Sequence, residues 1–230
     1  MIPQSDFSRL PDDWAVAITD NAFDLTQLYG LVDGIYAASS ANKVSPPSRA
    51  DVFRAFHLTP LQELRAVIVG EDPYPNPDQA HGLAFSTPSS YAGPRPRSLG
   101  RIFGGLRRDL GIQPTQDDLT PWARRGILLL NVALTHRVGD TEPDLATWEQ
   151  FTVETLRVIN TRPTKVAWLL WGDFANDVAD LVPPNNPLHR RFENAHPRAG
   201  RADRLTLAKS PPFGDTSAFL GTKASADWDL

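Results

Sequence analysis

Three short runs along the chain are apolar without a break: residues 66–69, 127–130 and 166–171. Each is too short for a helix and has no polar alternate, the pattern of a strand buried on both faces. A fourth strand is expected near 191–195. Between these runs, apolar residues recur at helical spacing. Phe23, Leu28, Leu31, Val32 and Ile35 make one stripe over 23–37, and Phe151, Thr155, Leu156 and Ile159 make another over 147–159. Leu99, Ile102, Phe103, Leu106 and Leu110 form a third apolar face, with Ser98 placed to cap it and Gly111 to end it. Short helices are expected over 50–56 and about 174–182, and the Ser-, Ala- and Pro-rich stretch 38–50 reads as a connector. Apolar strands alternating with amphipathic helices predict an α/β fold. Its form is a three-layer α/β/α sandwich with a central, mostly parallel four-stranded sheet.

The 230 residues fit a single domain, 1–230, in which 1–50 is an N-terminal helical extension without a motif. No apolar run approaches the roughly 18 residues of a membrane span. Residues 1–6 carry neither a basic nor an apolar signal region. The expectation is therefore a cytoplasmic protein that meets no membrane. The chain has no cysteine, which excludes disulfides, thiol nucleophiles and cysteine-ligated iron–sulfur clusters. The net charge of −4 does not advertise a nucleic-acid binder, but its distribution is uneven. Arg95, Arg97, Arg101, Arg107 and Arg108 fall in a segment without an acid. Arg190, Arg191, Arg198, Arg201, Arg204 and Lys209 outnumber Glu193 and Asp203, while acids crowd the first part of the chain.

The first apolar run leads straight into Gly70-Glu71-Asp72-Pro73-Tyr74-Pro75-Asn76-Pro77-Asp78-Gln79-Ala80-His81-Gly82-Leu83-Ala84-Phe85-Ser86. Ligands bind at the ends of strands in open α/β sheets, so Asp72, Tyr74 and Phe85 are expected to share a pocket. The stretch closely resembles the water-activating and base-pocket motif of family 1 uracil-DNA glycosylases, with thirteen of seventeen positions in agreement. The departures are Glu71 for Gln, Pro75 for His, Asn76 for Gly and Asp78 for Gly. Three further family signatures follow in order. Leu128-Leu129-Leu130-Asn131-Val132-Ala133-Leu134-Thr135 matches the second motif fully, Leu169-Leu170-Trp171-Gly172 precedes the phosphate loop, and His196-Pro197 opens the DNA-intercalating loop. The resemblance runs from about residue 60 to 220.

The resemblance implies a monofunctional enzyme that flips uracil out of DNA and hydrolyses the N-glycosidic bond, with no metal or organic cofactor. The implied substrate is uracil-containing DNA, single- or double-stranded, and the implied state is a monomer. Asp72 would stabilise the oxocarbenium-like sugar and orient water. His196 would stabilise the departing uracil anion at O2. Uracil would be held by Glu71, Tyr74, Phe85 and Asn131. Phe85 would stack on the base, and Tyr74 would close off the C5 edge against thymine. The Asn131 amide can accept from N3–H and donate to O4, a pattern that cytosine reverses. His81 is assigned a structural part. DNA would be held by Arg95, Arg97, Ser98, Gly172, Arg198 and Arg201. Asp173 replaces the family's Ser and would repel a phosphate. The family's intercalating leucine has no counterpart directly after Pro197, so Arg201 is the expected filler, then Arg198, with Leu205 within reach of a longer loop.

Two rivals follow from the same residues. A broader damaged-base glycosylase is disfavoured by the intact Tyr74 and Asn131. A catalytically weak DNA-binding or assembly subunit on the same fold is disfavoured by Asp72 and His196, and kept in view by Asp173 and the altered loop.

Overall fold

A computed structural model describes residues 7–19, 23–39, 43–139, 145–182, 186–199 and 205–230. In chain order the elements are α1 (Asp12–Thr19), α2 (Leu25–Ala37), β1 (Val44–Ser45), α3 (Arg54–Leu58), β2 (Ala66–Gly70), α4 (Arg97–Leu110), α5 (Thr120–Ala123), β3 (Ile127–Asn131), β4 (His136–Arg137), α6 (Leu145–Asn160), β5 (Ala167–Trp171), α7 (Asp173–Asp180), β6 (Arg190–Asn194), α8 (Phe213–Leu220) and α9 (Ala224–Trp228).

The three apolar runs are β2, β3 and β5. With β6 they form one four-stranded sheet of order β3-β2-β5-β6, in which every pairing is parallel. Helices flank the sheet, and every residue of β2, β3 and β5 is buried, which is why those strands read as unbroken apolar runs. The edge strand β6 is only partly covered and carries Arg190, Arg191 and Glu193, so it is less visible by apolar pattern. No helix among the described residues is long and apolar enough to cross a membrane.

The register sets the position of everything that follows. Gly70 pairs with Asn131, Val69 with Leu170, and Trp171 with Asn194. The carboxyl ends of four strands therefore arrive at one level along one edge of the sheet.

Several expectations shift. The sheet is wholly rather than mostly parallel, and β6 begins at Arg190. Ser98 does not cap α4. The helix starts at Arg97 behind Pro96, whose φ of −56° leads into it, and the Ser98 side chain turns inward instead. Asp24 does cap α2, accepting from Thr26 N at 2.8 Å and Gln27 N at 3.1 Å. The connector 38–50 contains β1, which pairs antiparallel with β4 to make a second, two-stranded sheet.

The C-terminal tail carries no motif, yet it is core. Trp228 is fully buried and meets Trp122 edge-on at 5.2 Å and Phe213 at 5.0 Å. Its indole N–H donates to Phe213 O and Ser217 Oγ. Beside it the buried Asp227 accepts from Ser217 Oγ at 2.6 Å and pairs with Arg65 at 3.0 Å. Phe213 continues to Trp171 at 6.2 Å, and Trp171 reaches Phe85 at 5.5 Å. A file of aromatic rings thus runs from the tail to the end of the sheet. Trp228→Ala should lower unfolding free energy by about 3–5 kcal/mol. Urea denaturation checks this, and a midpoint equal to that of the unaltered protein contradicts the buttress.

Candidate active site

At the carboxyl edge of the sheet lies a cavity of about 250 Å³. Asp72, Tyr74, Phe85, Asn131, His136 and His196 all line it. The loop after β2 supplies the first three, the last residue of β3 supplies Asn131, and the turn after β6 supplies His196. It is smaller than the roughly 300–1,000 Å³ of drug-sized pockets, and a single small ring suits it.

Gly70 makes room on the floor. A Cβ there would overlap Asn131 Oδ1 and press on Ala84, so only glycine lets the amide sit across the strand end. Asn131 is itself buried. Phe85 has a φ of +63°, a left-handed conformation unusual for a bulky residue. Two contacts hold it there: the Tyr74 hydroxyl donates to Phe85 O at 2.8 Å, and Trp171 packs on its ring. Ser98 Oγ lies 3.1 Å from the same hydroxyl, which explains why Ser98 turns inward rather than capping α4. Burial pushes the Tyr74 phenol well above its usual range, so it stays a protonated donor.

Asp72 is half-buried. Burial raises its pKa above the ordinary 3.8, opposed by His136 and by Arg198. His136 Nδ1 is 2.8 Å from Asp72 Oδ2. The sequence reading missed this histidine, because it belongs to β4 and reaches the pocket only through the antiparallel pairing of Ser45 with His136.

His196 is fixed by its own turn. Arg198 N–H donates to His196 Nδ1 at 3.0 Å, which makes Nδ1 the acceptor and leaves the proton on Nε2. Burial, with the Arg198 charge second, holds its pKa below 6.5, so the ring is a neutral donor. Arg101 braces the turn by donating to Pro197 O at 3.1 Å and to Ala199 O. Gly172, at φ +99°, passes so close that a Cβ would stand 2.8 Å from His196 Cβ.

A second hollow opens beside the first, lined by Tyr74, Arg97, Ser98, Arg101 and Arg198. Three arginines surround it, as an anionic ligand requires. Arg95 stands apart from both hollows. It pairs with Asp117 at 2.6 Å and lies over the Phe103 ring, so its charge is already matched. Glu71 lines the mouth of the cavity with an exposed side chain, and its carbonyl accepts from Ala133 N–H at 2.9 Å. Asp173 heads α7, exposed next to Gly172. Arg201 lies outside the described residues. Leu205 is described: its carbonyl accepts from Ala195 N at 3.0 Å, and its side chain is 54% exposed. His81 is buried away from the chemistry, with Nε2 2.6 Å from Ser86 Oγ, and burial lowers its pKa to about 4.

Comparison with known proteins points to one family. The family model "Uracil DNA glycosylase superfamily" matches residues 56–212. A uracil-DNA glycosylase of Deinococcus deserti is 37% identical over 227 residues, covering 96% of this chain and 88% of that relative. One from Streptococcus agalactiae serotype III is 38% identical over 203 residues, covering 86% of this chain and 88% of that relative. Among solved structures, mimivirus uracil-DNA glycosylase superposes with a TM-score of 0.81 at 20% identity, over 99% of this chain and 90% of that one.

Proposed function

The chain belongs to the uracil DNA glycosylase superfamily, and on that premise we propose that Asp72, Asn131 and His196 are the groups with which it acts. Its activity is the excision of uracil from DNA, by hydrolysis of the N-glycosidic bond, in base-excision repair. The observation that carries the division of labour is the convergence of these three side chains on one small cavity from three different strand ends.

In the proposed reaction, the extruded base stacks on Phe85 with its C5 edge against Tyr74, leaving no space for a methyl group. Asn131 pairs with N3 and O4. As the glycosidic bond breaks, charge flows to uracil O2, where the neutral Nε2–H of His196 donates. Positive charge grows on the sugar and is met by the Asp72 carboxylate, which also orients the attacking water. Arg97, Ser98, Arg198 and Gly172 are proposed to hold the flanking phosphates, with Arg95 in a lesser part because Asp117 engages it. The proposed functional unit is a monomer in which the whole chain is one catalytic domain. It accepts uracil in single- or double-stranded DNA, in the cytoplasm where that DNA would be met.

Asp72→Asn should slow single-turnover excision by roughly a hundred- to a thousand-fold or more, with binding of uracil-containing DNA retained. Asn131→Asp should gain slow cytosine excision and Tyr74→Ala slow thymine excision, because each removes the stated block. Oligonucleotide cleavage after alkali reads all three. A near-normal rate for Asp72→Asn, or no new product from either pocket variant, contradicts the assignment.

The pH profile follows from the same two groups. Asp72 must be ionised, and its raised pKa means the charge is lost at a higher pH than for an ordinary aspartate. His196 must be neutral, and its lowered pKa means it stays so below the ordinary 6.5. The acid limb of the single-turnover rate should therefore lie above the ordinary aspartate value of 3.8. A limb centred at or below 3.8 would count against the part given to Asp72.

The gap left by the flipped base needs a filler, since extrusion costs a few kcal/mol. Leu205 is the proposed one. Its backbone is tied to Ala195, next to His196, and this apolar residue is about half exposed. Arg201 is the second candidate. Leu205→Ala should lose about ten-fold or more on duplex substrate and little on single strands, where no stack needs filling. Equal losses on both substrates, or a duplex-specific loss from Arg201→Ala alone, would remove Leu205 from this part.

A further inference from the structure

His136 has no place in the reaction as derived so far, yet its ring lines the same cavity as Asp72. The ring is buried, and its Nδ1 is shielded from water without a well-aligned hydrogen-bond acceptor. The nearest acidic oxygen, Asp72 Oδ2, is 2.8 Å away, within hydrogen-bond range but off the axis of the ring N–H. A buried orphaned donor is costly, and catalytic hydrogen bonds are commonly misaligned until substrate is loaded. A small rotation of the carboxylate would align the pair.

The segment that delivers this imidazole is tied to α6 by two hydrogen bonds. Trp148 Nε1 donates to Thr135 Oγ1 at 2.8 Å, and Thr152 Oγ1 donates to Val132 O at 2.7 Å, so α6 fastens the chain on the approach to His136. Across the small sheet, Ser45 pairs with His136, and Ser45 Oγ donates to Tyr74 O at 2.6 Å. The β1–β4 sheet therefore holds the Asp72–Tyr74 loop with one residue and the imidazole with the next strand. The loop itself has Pro75 where the family motif carries a histidine, and the imidazole beside the Asp72 carboxylate is that of His136 on β4.

We propose that His136 is a positioning residue that fixes the Asp72 carboxylate through Oδ2, leaving the other oxygen free to orient the attacking water. The other titratable or charged groups lining the cavity are Glu71, Tyr74, His196 and Arg198. Of these, Arg198 also acts on the Asp72 carboxylate through its charge. The inference rests on the reading of Asp72 given above.

The test measures single-turnover excision and DNA binding for His136→Val, His136→Asn and His136→Gln, each alone and with Asp72→Asn. Asparagine places its amide nitrogen near the position of Nδ1, whereas glutamine reaches toward that of Nε2. His136→Val and His136→Gln should each lower the rate by about ten- to a hundred-fold, the scale of a small misplacement at a reacting centre. Substrate affinity should change by no more than about two-fold, as for an interaction used only in the transition state. His136→Asn should recover most of the rate. In the Asp72→Asn background all three should be nearly silent, because the effect passes through the carboxylate. If His136→Val does not fold, the contrast between the asparagine and glutamine variants carries the test. Equal rates for those two, or the same fold-loss with and without Asp72→Asn, overturns the part given to His136. A near-normal rate for Asp72→Asn alone overturns the reading of Asp72, and the inference with it.

Discussion

The parallel register of the central sheet is the constraint on which the site depends. Gly70, Asn131, Trp171 and Asn194 fall at one level because β2, β3, β5 and β6 are hydrogen-bonded in step. A slip of one residue would exchange the side chains packed against the two faces of the sheet, so close packing on both faces holds the register. The strands therefore act as rulers. The amide of Asn131, the loop that carries Asp72 and the turn that carries His196 begin at a fixed edge. Glycine then sets how closely they approach: Gly70 under the Asn131 amide, and Gly172 against His196.

On that frame the polar groups are tuned by burial more than by one another. Desolvation is the leading cause of the shift at Asp72, at Tyr74 and at His196, and it favours the neutral form of each. For His196 and Tyr74 that is the useful outcome, a neutral donor. For Asp72 it runs against the charge the chemistry needs, and His136 and Arg198 oppose it. The site also holds backbone strain at Phe85, of about 1–3 kcal/mol for a bulky residue in the left-handed region. The Tyr74 hydroxyl and the aromatic file through Trp171, Phe213 and Trp228 keep that conformation in place. The distant C-terminal tail thereby supports the ring expected to stack on the base.

Much of this was legible in the sequence, for identifiable reasons. Strands buried on both faces are unbroken apolar runs, so β2, β3 and β5 were visible without any partner. The residues expected to touch the base lie in contiguous motifs at the ends of those runs. What escaped was non-local. His136 looks like an ordinary histidine until β4 pairs with β1, and β1 lies in a stretch that reads as a connector. Trp228 sits in a tail without pattern and becomes core only through Trp122 and Phe213. Counting arginines located the basic region but not its partners. Arg95 is matched by Asp117 and does not reach the second hollow, and Arg101 at that hollow also braces the His196 turn. Ser98 had the chemistry of a helix cap and was drawn inward by Tyr74.

The central claim is that one preformed cavity at the sheet edge recognises uracil. A crystal structure of the protein with free uracil tests it most directly. The account predicts the base stacked on Phe85, with the Asn131 amide on its N3–O4 edge, C5 against Tyr74, and His196 Nε2 at about 2.7–3.2 Å from O2. Uracil bound elsewhere, or bound there with Asn131 and His196 out of contact with it, would contradict the account.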